Sequence, residues 1–269
     1  MLLKGLPAKF HEAYFKLLIH GVTRNHLFAD EILEQPFGAM YRNDVNEEWV
    51  NFCKGRQRKR IAVIAKRVFD ISFSSLVILI FLTWMIPIIA FLIKIDSAGP
   101  VFFFQKRVGR GGAGFLCFKF RTMSEKKSQG SDFIVTAIGK FLRQSNLDEL
   151  PQFFNVLLGN MSVVGPRPHM YYDCQRFSRF IPNYENRNII KPGITGLAQV
   201  KGYHGPVSDP VSILQRFYWD MIYIKKFSLA LDLSIVFKTA WQRIIWILCY
   251  PFYVDTPFNR FFFLVCPLP

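Results

Sequence analysis

The uncharged segment ISFSSLVILIFLTWMIPIIAFLI, residues 71–93, decides how this chain must fold. As a helix it would be about 34 Å long at ~1.5 Å per residue, which is enough to cross ~30 Å of hydrocarbon. The alternative is a buried helix of a soluble domain, but such helices are seldom so long and so uniformly apolar. We therefore predict that this segment inserts into a membrane.

Basic residues flank the apolar segment at both ends. Lys66 precedes it, after five Lys and Arg residues within 54–60, and Lys94 follows it. Because positively charged flanks tend to stay in the cytoplasm, both ends are predicted to lie on the same side. Pro87 can break the helix by removing a backbone hydrogen bond, and hydroxyl side chains such as Thr83 can satisfy the freed groups. The sequence thus predicts a re-entrant helix that breaks near Pro87.

The composition agrees with a membrane protein that meets anions. Hydrophobic residues make up 51% of the chain, with 29 Phe, and 34 Lys and Arg oppose 19 Asp and Glu. The excess of +15 must contact nucleic acid, acidic lipid head groups or phosphate-bearing substrates. The basic run adjoins the apolar segment and favours inner-leaflet lipids, and nucleic acid is disfavoured because no basic and aromatic RNA motif is present. Five scattered cysteines indicate neither disulfides nor a thiolate zinc site.

Short elements are predicted beyond the apolar segment. Residues 101–104 and 115–121 read as strands around a glycine-rich basic turn. One helix should end just before Asn146, and another should begin with Pro151 in its first turn and end at Gly159. The aromatic residues between 213 and 235 predict a helix that lies either in the core or at the lipid interface, and its mixture of aromatic residues and lysines favours the interface.

Asp148 and Glu149 are the candidates for chemistry, because they form an acidic pair in a basic chain with Arg143 before and Arg167 after. Acidic residues at a helix start often serve only the helix dipole. The same positive end would also hold a phosphate beside the carboxylates. Arg167 lies between two prolines, where its planar guanidinium suits phosphate oxygens; a structural ion pair is the alternative.

Several motifs, in this order, resemble the bacterial sugar transferases, the monotopic phosphoglycosyl transferases that load sugar phosphate onto polyprenyl phosphate. The matching segments are KRVFD 66–70, GPVFF 99–103, Gln105, RVG 107–109, FKFRTM 118–123, LR 142–143, LDELPQ 147–152, NV 155–156, MSVVGPRP 161–168 and KPGITG 191–196. The resemblance covers roughly residues 66–239.

The resemblance implies a ping-pong exchange on the cytoplasmic face of the bacterial inner membrane. A UDP-sugar would give its sugar phosphate to Asp148, releasing UMP, and the phosphosugar-aspartyl intermediate would then react with undecaprenyl phosphate. Glu149 resembles the partner that, with Asp148, holds Mg²⁺ or positions groups. An aspartate nucleophile needs no raised pKa, since it is already ionised at neutral pH.

Spreading the charge of the transition state needs Mg²⁺ and cations, and to this work we assign Lys119, Arg121, Arg143 and Arg167. The resemblance implies that this transfer to undecaprenyl phosphate is the first membrane step of exopolysaccharide, O-antigen or glycan assembly. A catalytically silent membrane-surface scaffold is the alternative function. The sequence leaves open a homodimer and the identity of the sugar.

The predicted fold class is α+β: a monotopic membrane protein with a re-entrant broken helix, a small helical catalytic domain with a short β-hairpin, and interfacial amphipathic helices. The predicted domains are an N-terminal extension (1–60), the juxtamembrane and re-entrant helix (61–97), the catalytic domain (98–240) and an aromatic C-terminal tail (241–269). Neither the extension nor the tail is assigned a role.

Overall fold

A long apolar helix and a mixed domain of helices and two-stranded sheets make up the described part of the chain. The computed structural model describes residues 56–124, 133–179, 181–203, 205 and 210–254, with side chains from 62 to 245 within these ranges except at 210. The side chains of the basic run at 54–60 and most of the predicted extension lie outside the described residues.

The elements follow the chain in a simple order. The helices are α1 (Arg56–Val77), α2 (Thr83–Asp96), α3 (Ala137–Ser145), α4 (Gln152–Leu157), α5 (Tyr171–Ser178), α6 (Leu197–Val200), α7 (Pro210–Lys225) and α8 (Leu229–Val254). The strands are β1 (Phe102–Val108), β2 (Gly114–Phe120), β3 (Met123–Ser124), β4 (Ile134–Val135), β5 (Ser162–Val164) and β6 (Gly193–Thr195).

The strands pair two by two. β1 and β2 form the predicted antiparallel hairpin, with Phe102 opposite Phe120. β3 and β4 are antiparallel, whereas β5 and β6 are parallel, with Ser162 opposite Gly193. β5 ends three residues before Arg167. The register of the parallel pair therefore determines the position of the Arg167 backbone.

The apolar segment forms one helical run, and residues 62–96 are long and apolar enough to cross a membrane. A π-helical turn at Ile78–Leu82 joins α1 to α2. There the Thr83 N–H donates to Ile78 O, while Thr83 Oγ1 donates to Leu79 O (2.9 Å) and Trp84 Nε1 to Ile80 O (2.7 Å). The Thr83 hydroxyl thus satisfies a carbonyl of the π-helical turn rather than one freed by Pro87.

The irregular turn does not lie at Pro87, where the break was predicted. Pro87 sits inside α2, and the π-helical turn ends five residues before it. Proline has no N–H to donate to the carbonyl one turn earlier, so the hydrogen-bond pattern changes on its N-terminal side. The irregularity is therefore shifted toward the middle of the apolar segment.

Both ends of the long helix are fastened to the same domain. Near the N-terminal end, Asp70 is buried and accepts hydrogen bonds from Ser162 Oγ and Val163 N, both at 3.0 Å. Near the C-terminal end, Ile89 and Ile93 pack in one core cluster with Phe120 and Leu142. Asp96 Oδ2 also accepts from Ile138 N (2.8 Å).

The C-terminal helices differ from the sequence prediction. The aromatic helix ends at Lys225 rather than continuing to 235, and α8 then crosses the predicted boundary at 240/241. Phe217 and Tyr223 are each 1% exposed. This face of α7 is therefore core, the less favoured of the two predicted placements. The Tyr223 hydroxyl there donates to the buried carboxylate of Asp232 at 2.7 Å.

Gly193 should be essential for the parallel strand pair, because a Cβ there would collide with the backbone of Gly165. We expect Gly193→Ala to lower the free energy of unfolding by about 2–3 kcal/mol, as for an overpacked core. Denaturant titration in detergent would measure this. The matched control is Gly205→Ala, whose Cβ meets no described atom within 4 Å. Equal stability of the two variants would contradict the close approach.

Candidate active site

Asp148 and Glu149 lie in a single 3₁₀ turn, Leu147–Glu149, between α3 and α4. α3 begins where Thr136 Oγ1 accepts from Gly139 N (3.0 Å) and ends at Asn146, which adopts a left-handed conformation with φ 58°. α4 begins at Gln152, directly after Pro151. The predicted placement of the acidic pair just before a helix start is confirmed.

Glu149 is the anchor of a buried ion-pair cluster. Arg167 donates to it with two nitrogens, Nη1 to Oε2 (3.0 Å) and Nη2 to Oε1 (2.6 Å). Lys119 Nζ donates to Oε1 at 2.7 Å. Burial alone would raise the pKa of Glu149, but Arg167 and Lys119 hold that pKa well below its usual range. Glu149 therefore stays ionised, and its ion pairs hold the Lys119 and Arg167 side chains next to the turn.

Asp148 is the carboxylate left available. Its side chain is 7% exposed and makes no hydrogen bond within the described residues. Burial, together with the neighbouring charge of Glu149, raises the pKa of Asp148 to about 6. This differs from the expectation of an unshifted aspartate, because sequence does not reveal desolvation. Asp148 is still mostly ionised at neutral pH, and no hydrogen bond from the described residues occupies its oxygens.

The two cations on Glu149 are themselves held by buried groups. Lys119 lies on β2, where Asn155 accepts from Phe118 N (2.9 Å) and donates to Leu116 O (2.7 Å). Asn155 is fully buried, so this strand cannot slide without leaving its amide unpaired.

The backbone around Arg167 is held by two further arginines. Arg187 Nη2 donates to Arg167 O (2.8 Å), and Arg107 Nη1 donates to Pro168 O (3.1 Å). Arg187 is in turn ion-paired with Asp220 at 2.7 Å. Arg187 and Asp220 were not predicted from the sequence, since they are far apart in the chain and carry no motif spacing.

The structure brings some predicted cations to the turn but not all. Arg143 is exposed, its Nε donates to Thr122 Oγ1 (2.7 Å), and its charge lowers the pKa of Asp148. Arg121 instead donates to the carbonyls of Ser97 and Ala98, just past the end of α2. Lys119, Arg143 and Arg167 therefore surround the acidic pair, whereas Arg121 anchors the apolar helix to the domain.

A magnesium ion would find only part of its predicted ligand set here. The described residues contain no group of three or more His, Cys, Asp or Glu side chains that could hold a metal. Mg²⁺ is often held by one or two carboxylates together with substrate phosphates. Asp148 fits that pattern, since its carboxylate is unbonded within the described residues. Glu149 does not fit it without releasing Arg167 or Lys119, because both of its oxygens already accept from these cations.

Arg243 on α8 is a site residue that the sequence analysis missed. When the Asn146 amide is oriented by its hydrogen bonds, its Nδ2 donates to Arg143 O (3.1 Å) and its Oδ1 accepts from Arg243 Nη2 (3.1 Å). The available signal was that Arg243 is an isolated charge in an otherwise apolar aromatic stretch.

Comparison with known proteins gives consistent matches. A family model described as "Bacterial sugar transferase" matches residues 61–245. The chain is 43% identical over 192 residues to the UDP-glucose:undecaprenyl-phosphate glucose-1-phosphate transferase of Klebsiella pneumoniae, covering 69% of this chain and 41% of that protein.

Two further relatives differ in length. The UDP-N-acetylgalactosamine-undecaprenyl-phosphate N-acetylgalactosaminephosphotransferase of Aeromonas hydrophila is 44% identical over 186 residues, 66% of this chain and 43% of that protein. The exopolysaccharide production protein PSS of Rhizobium leguminosarum bv. phaseoli is 41% identical over 189 residues, 66% of this chain and 94% of that protein. The match thus spans about two fifths of the first two relatives and nearly all of the third.

Proposed function

This chain belongs to the bacterial sugar transferase family, and from that premise we propose that it moves a sugar-1-phosphate from a UDP-sugar onto undecaprenyl phosphate. The observation that carries the proposal is the division of labour in the acidic pair. Glu149 is neutralised by Lys119 and Arg167, and Asp148 remains buried, ionisable and unbonded within the described residues. Relatives named for this transfer and for exopolysaccharide production support the substrate class.

The proposed reaction has two displacements at one phosphorus. An Asp148 oxygen attacks the β-phosphorus of the donor, an O–P bond forms, and the bond to the bridging oxygen breaks, so that UMP leaves with that oxygen. A phosphate oxygen of undecaprenyl phosphate then attacks the same phosphorus, and the Asp148 carboxylate is released. Lys119, Arg143 and Arg167 offset the charge on the phosphate oxygens.

Mg²⁺ fits this proposal as a group held by Asp148 and the donor's diphosphate. When bound, it would neutralise charge on the diphosphate and so reduce its repulsion of a carboxylate. Arg167 and Lys119 would meanwhile stay on Glu149, which keeps both cations aimed at the turn.

The direct test is an assay of membranes or purified protein with UDP-sugars, undecaprenyl phosphate and Mg²⁺. UDP-glucose and UDP-N-acetylgalactosamine, the donors in the names of two relatives, lead the panel. We expect UMP release and a lipid-linked sugar phosphate with at least one donor, and loss of both on chelation. Absence of product with every donor would instead favour a catalytically silent membrane scaffold.

The rate of UMP release should fall at low pH because Asp148 must be ionised to attack. Burial raises the pKa of Asp148 to about 6, so the carboxylate is ionised above that pH and protonated below it. We expect the rate to be nearly constant above pH 7 and to fall about tenfold per pH unit well below 6. Single-turnover rates between pH 4.5 and 8.5 would show this. Recovery after return to neutral pH is the control for denaturation, and a rate unchanged down to pH 4.5 would contradict the assignment.

We also propose that the apolar helix is re-entrant and that the domain lies on the cytoplasmic face of the inner membrane. A straight span would place its ends ~30 Å apart on opposite sides of the hydrocarbon. Asp70 at one end and Ile93 at the other both contact the same domain, which cannot lie on both sides.

The middle of the helix supports insertion rather than a flat position on the surface. Leu79, Ile80 and Phe81 are consecutive around the π-helical turn and are each about half exposed or more (69%, 51% and 48%). Successive helical residues point in different directions, so this turn is apolar on several sides, as expected for a segment surrounded by lipid.

Cysteine labelling would test this topology in a variant without the native cysteines. Single cysteines replace Ile64 and Ile95, which are exposed residues at the two ends of the helix. A third cysteine replaces the exposed Glu185 and reports on which side of the membrane the domain lies. An impermeant maleimide should label all three positions in inverted vesicles and none in intact spheroplasts. Labelling of one helix end from outside would refute the re-entrant arrangement.

A further inference from the structure

α8 presents two different faces along its described length. Leu233, Phe237, Trp241 and Ile244 are each 51–69% exposed. Their spacing of four, four and three residues places them on one face of the helix. The Phe237 and Trp241 rings stack with centroids 6.4 Å apart. This outer face is a continuous apolar stripe, which suits contact with lipid.

The opposite face of α8 is fastened to the domain. Ile235 is 1% exposed, and the hydroxyls of Thr239 and Thr195 are hydrogen-bonded at 2.7 Å. Gln242 Nε2 donates to Val200 O at 3.3 Å. Arg243 lies eight residues after Ile235 and four after Thr239, so it continues this inner face. Its position is therefore set by the packing of α8 against the domain.

Arg243 brings a positive charge to the turn that carries the acidic pair. Its Nη2 is 3.1 Å from Oδ1 of Asn146, two residues before Asp148. Burial lowers the pKa of Arg243, Glu149 raises it, and Arg167 lowers it, so all three charges lie in one neighbourhood. Within the described residues Arg243 forms no ion pair with a carboxylate, since Glu149 is already shared by Lys119 and Arg167.

A partly buried guanidinium without a carboxylate is a good receptor for a phosphate. Its planar donors match phosphate oxygens in two-point contacts, and the phosphate would supply the missing counter-charge. The donor's diphosphate and the lipid's phosphate are both possible sources. The apolar stripe favours the lipid as the source for Arg243, because the stripe and Arg243 lie on the same helix. Lys119 and Arg167 lie on segments without such a stripe.

We propose that Arg243 binds the phosphate of the polyprenyl phosphate acceptor, and that the apolar face of α8 guides the lipid chain toward the site. This inference rests on the proposed function and assigns one of its substrates to a particular residue. The donor's diphosphate is then left to Lys119, Arg143 and Arg167.

The two half-reactions separate the acceptor from the donor. UMP release from the UDP-sugar without acceptor reports the first, and transfer to undecaprenyl phosphate in nanodiscs reports the second. We expect Arg243→Ala to keep the rate of UMP release within about threefold of wild type and to raise the KM for undecaprenyl phosphate at least about tenfold, the effect of one lost charged hydrogen bond. Arg243→Lys should restore part of the affinity, since it keeps the charge but not the planar fork.

Two control variants complete the design. Lys238→Ala removes a cation from an exposed position of the same helix and should match wild type in both half-reactions. Asn146→Gly removes the Arg243 partner while tolerating the left-handed backbone. If Arg243 only steadied the turn, Asn146→Gly would reproduce all the effects of Arg243→Ala.

Several outcomes would overturn the inference. Slower UMP release in Arg243→Ala would indicate that Arg243 contacts the diphosphate of the UDP-sugar. If Arg243→Ala behaved like Lys238→Ala in both half-reactions, Arg243 would bind neither phosphate. If Arg243→Ala proves unstable in thermal unfolding, Arg243→Gln carries the same comparison. Failure of wild type to release UMP from any donor would instead refute the proposed function itself.

Discussion

Asp148→Asn should abolish both half-reactions while leaving the fold intact. The amide is nearly the same size but cannot attack phosphorus as an anion, and loss of a nucleophile typically lowers the rate by ~10⁴-fold or more. The substitution also removes a buried negative charge beside Glu149, so the free energy of unfolding should not decrease. Radiolabelled UMP and lipid-linked product are the measurements, with thermal unfolding as the check on folding.

A second measurement tests the covalent role of Asp148 directly. With donor present and acceptor withheld, mass spectrometry of peptides should find a phosphosugar on Asp148 in wild type and none in Asp148→Asn. Glu185→Gln, at an exposed carboxylate, is the matched control and should keep the adduct. An adduct on another residue, or substantial turnover by Asp148→Asn, would contradict the nucleophile assignment.

Glu149→Gln should lose both activity and stability. The neutral amide leaves Arg167 and Lys119 without their shared counter-charge at 2.6 and 2.7 Å. Because these cations are partly exposed, we expect the free energy of unfolding to fall by about 2–3 kcal/mol, less than the 3–5 kcal/mol of a fully buried pair. Once Arg167 and Lys119 are displaced, they no longer donate hydrogen bonds to the phosphate oxygens in the right geometry. UMP release should therefore slow by about 10²–10³-fold.

The magnesium dependence of this variant distinguishes a positioning role from a metal ligand. If Glu149 acts through Arg167 and Lys119, the Mg²⁺ concentration that gives half the maximal rate should stay within about twofold of wild type, because the metal contact is elsewhere. Loss of a ligand would typically raise it by 10–100-fold. Such an increase would contradict the geometry described for Glu149, and the Glu185→Gln variant again provides the unaltered reference.

Those parts of the site that depend on neighbouring residues could be predicted from the sequence. The acidic pair, the helix starts around it and the hairpin that carries Lys119 follow from residue order, turn residues and alternation. Arg121 lies away from the acidic pair for a physical reason. It has the same charge as Lys119 two residues earlier, and only the packing of the domain against α2 places its guanidinium on the carbonyls of Ser97 and Ala98.

By itself the sequence determined the apolar helix, the strand pairing of the hairpin and the position of Asp148 and Glu149 before a helix. These features depend on neighbouring residues and on periodicity, so they can be predicted locally. The tertiary structure alone decided that Glu149 pairs with Lys119 and Arg167, that Asp148 stays unbonded among the described residues, and that α8 brings Arg243 to Asn146. These relations join residues 18 to 97 positions apart in the sequence. They arise from burial and the packing of distant elements, which residue spacing does not encode.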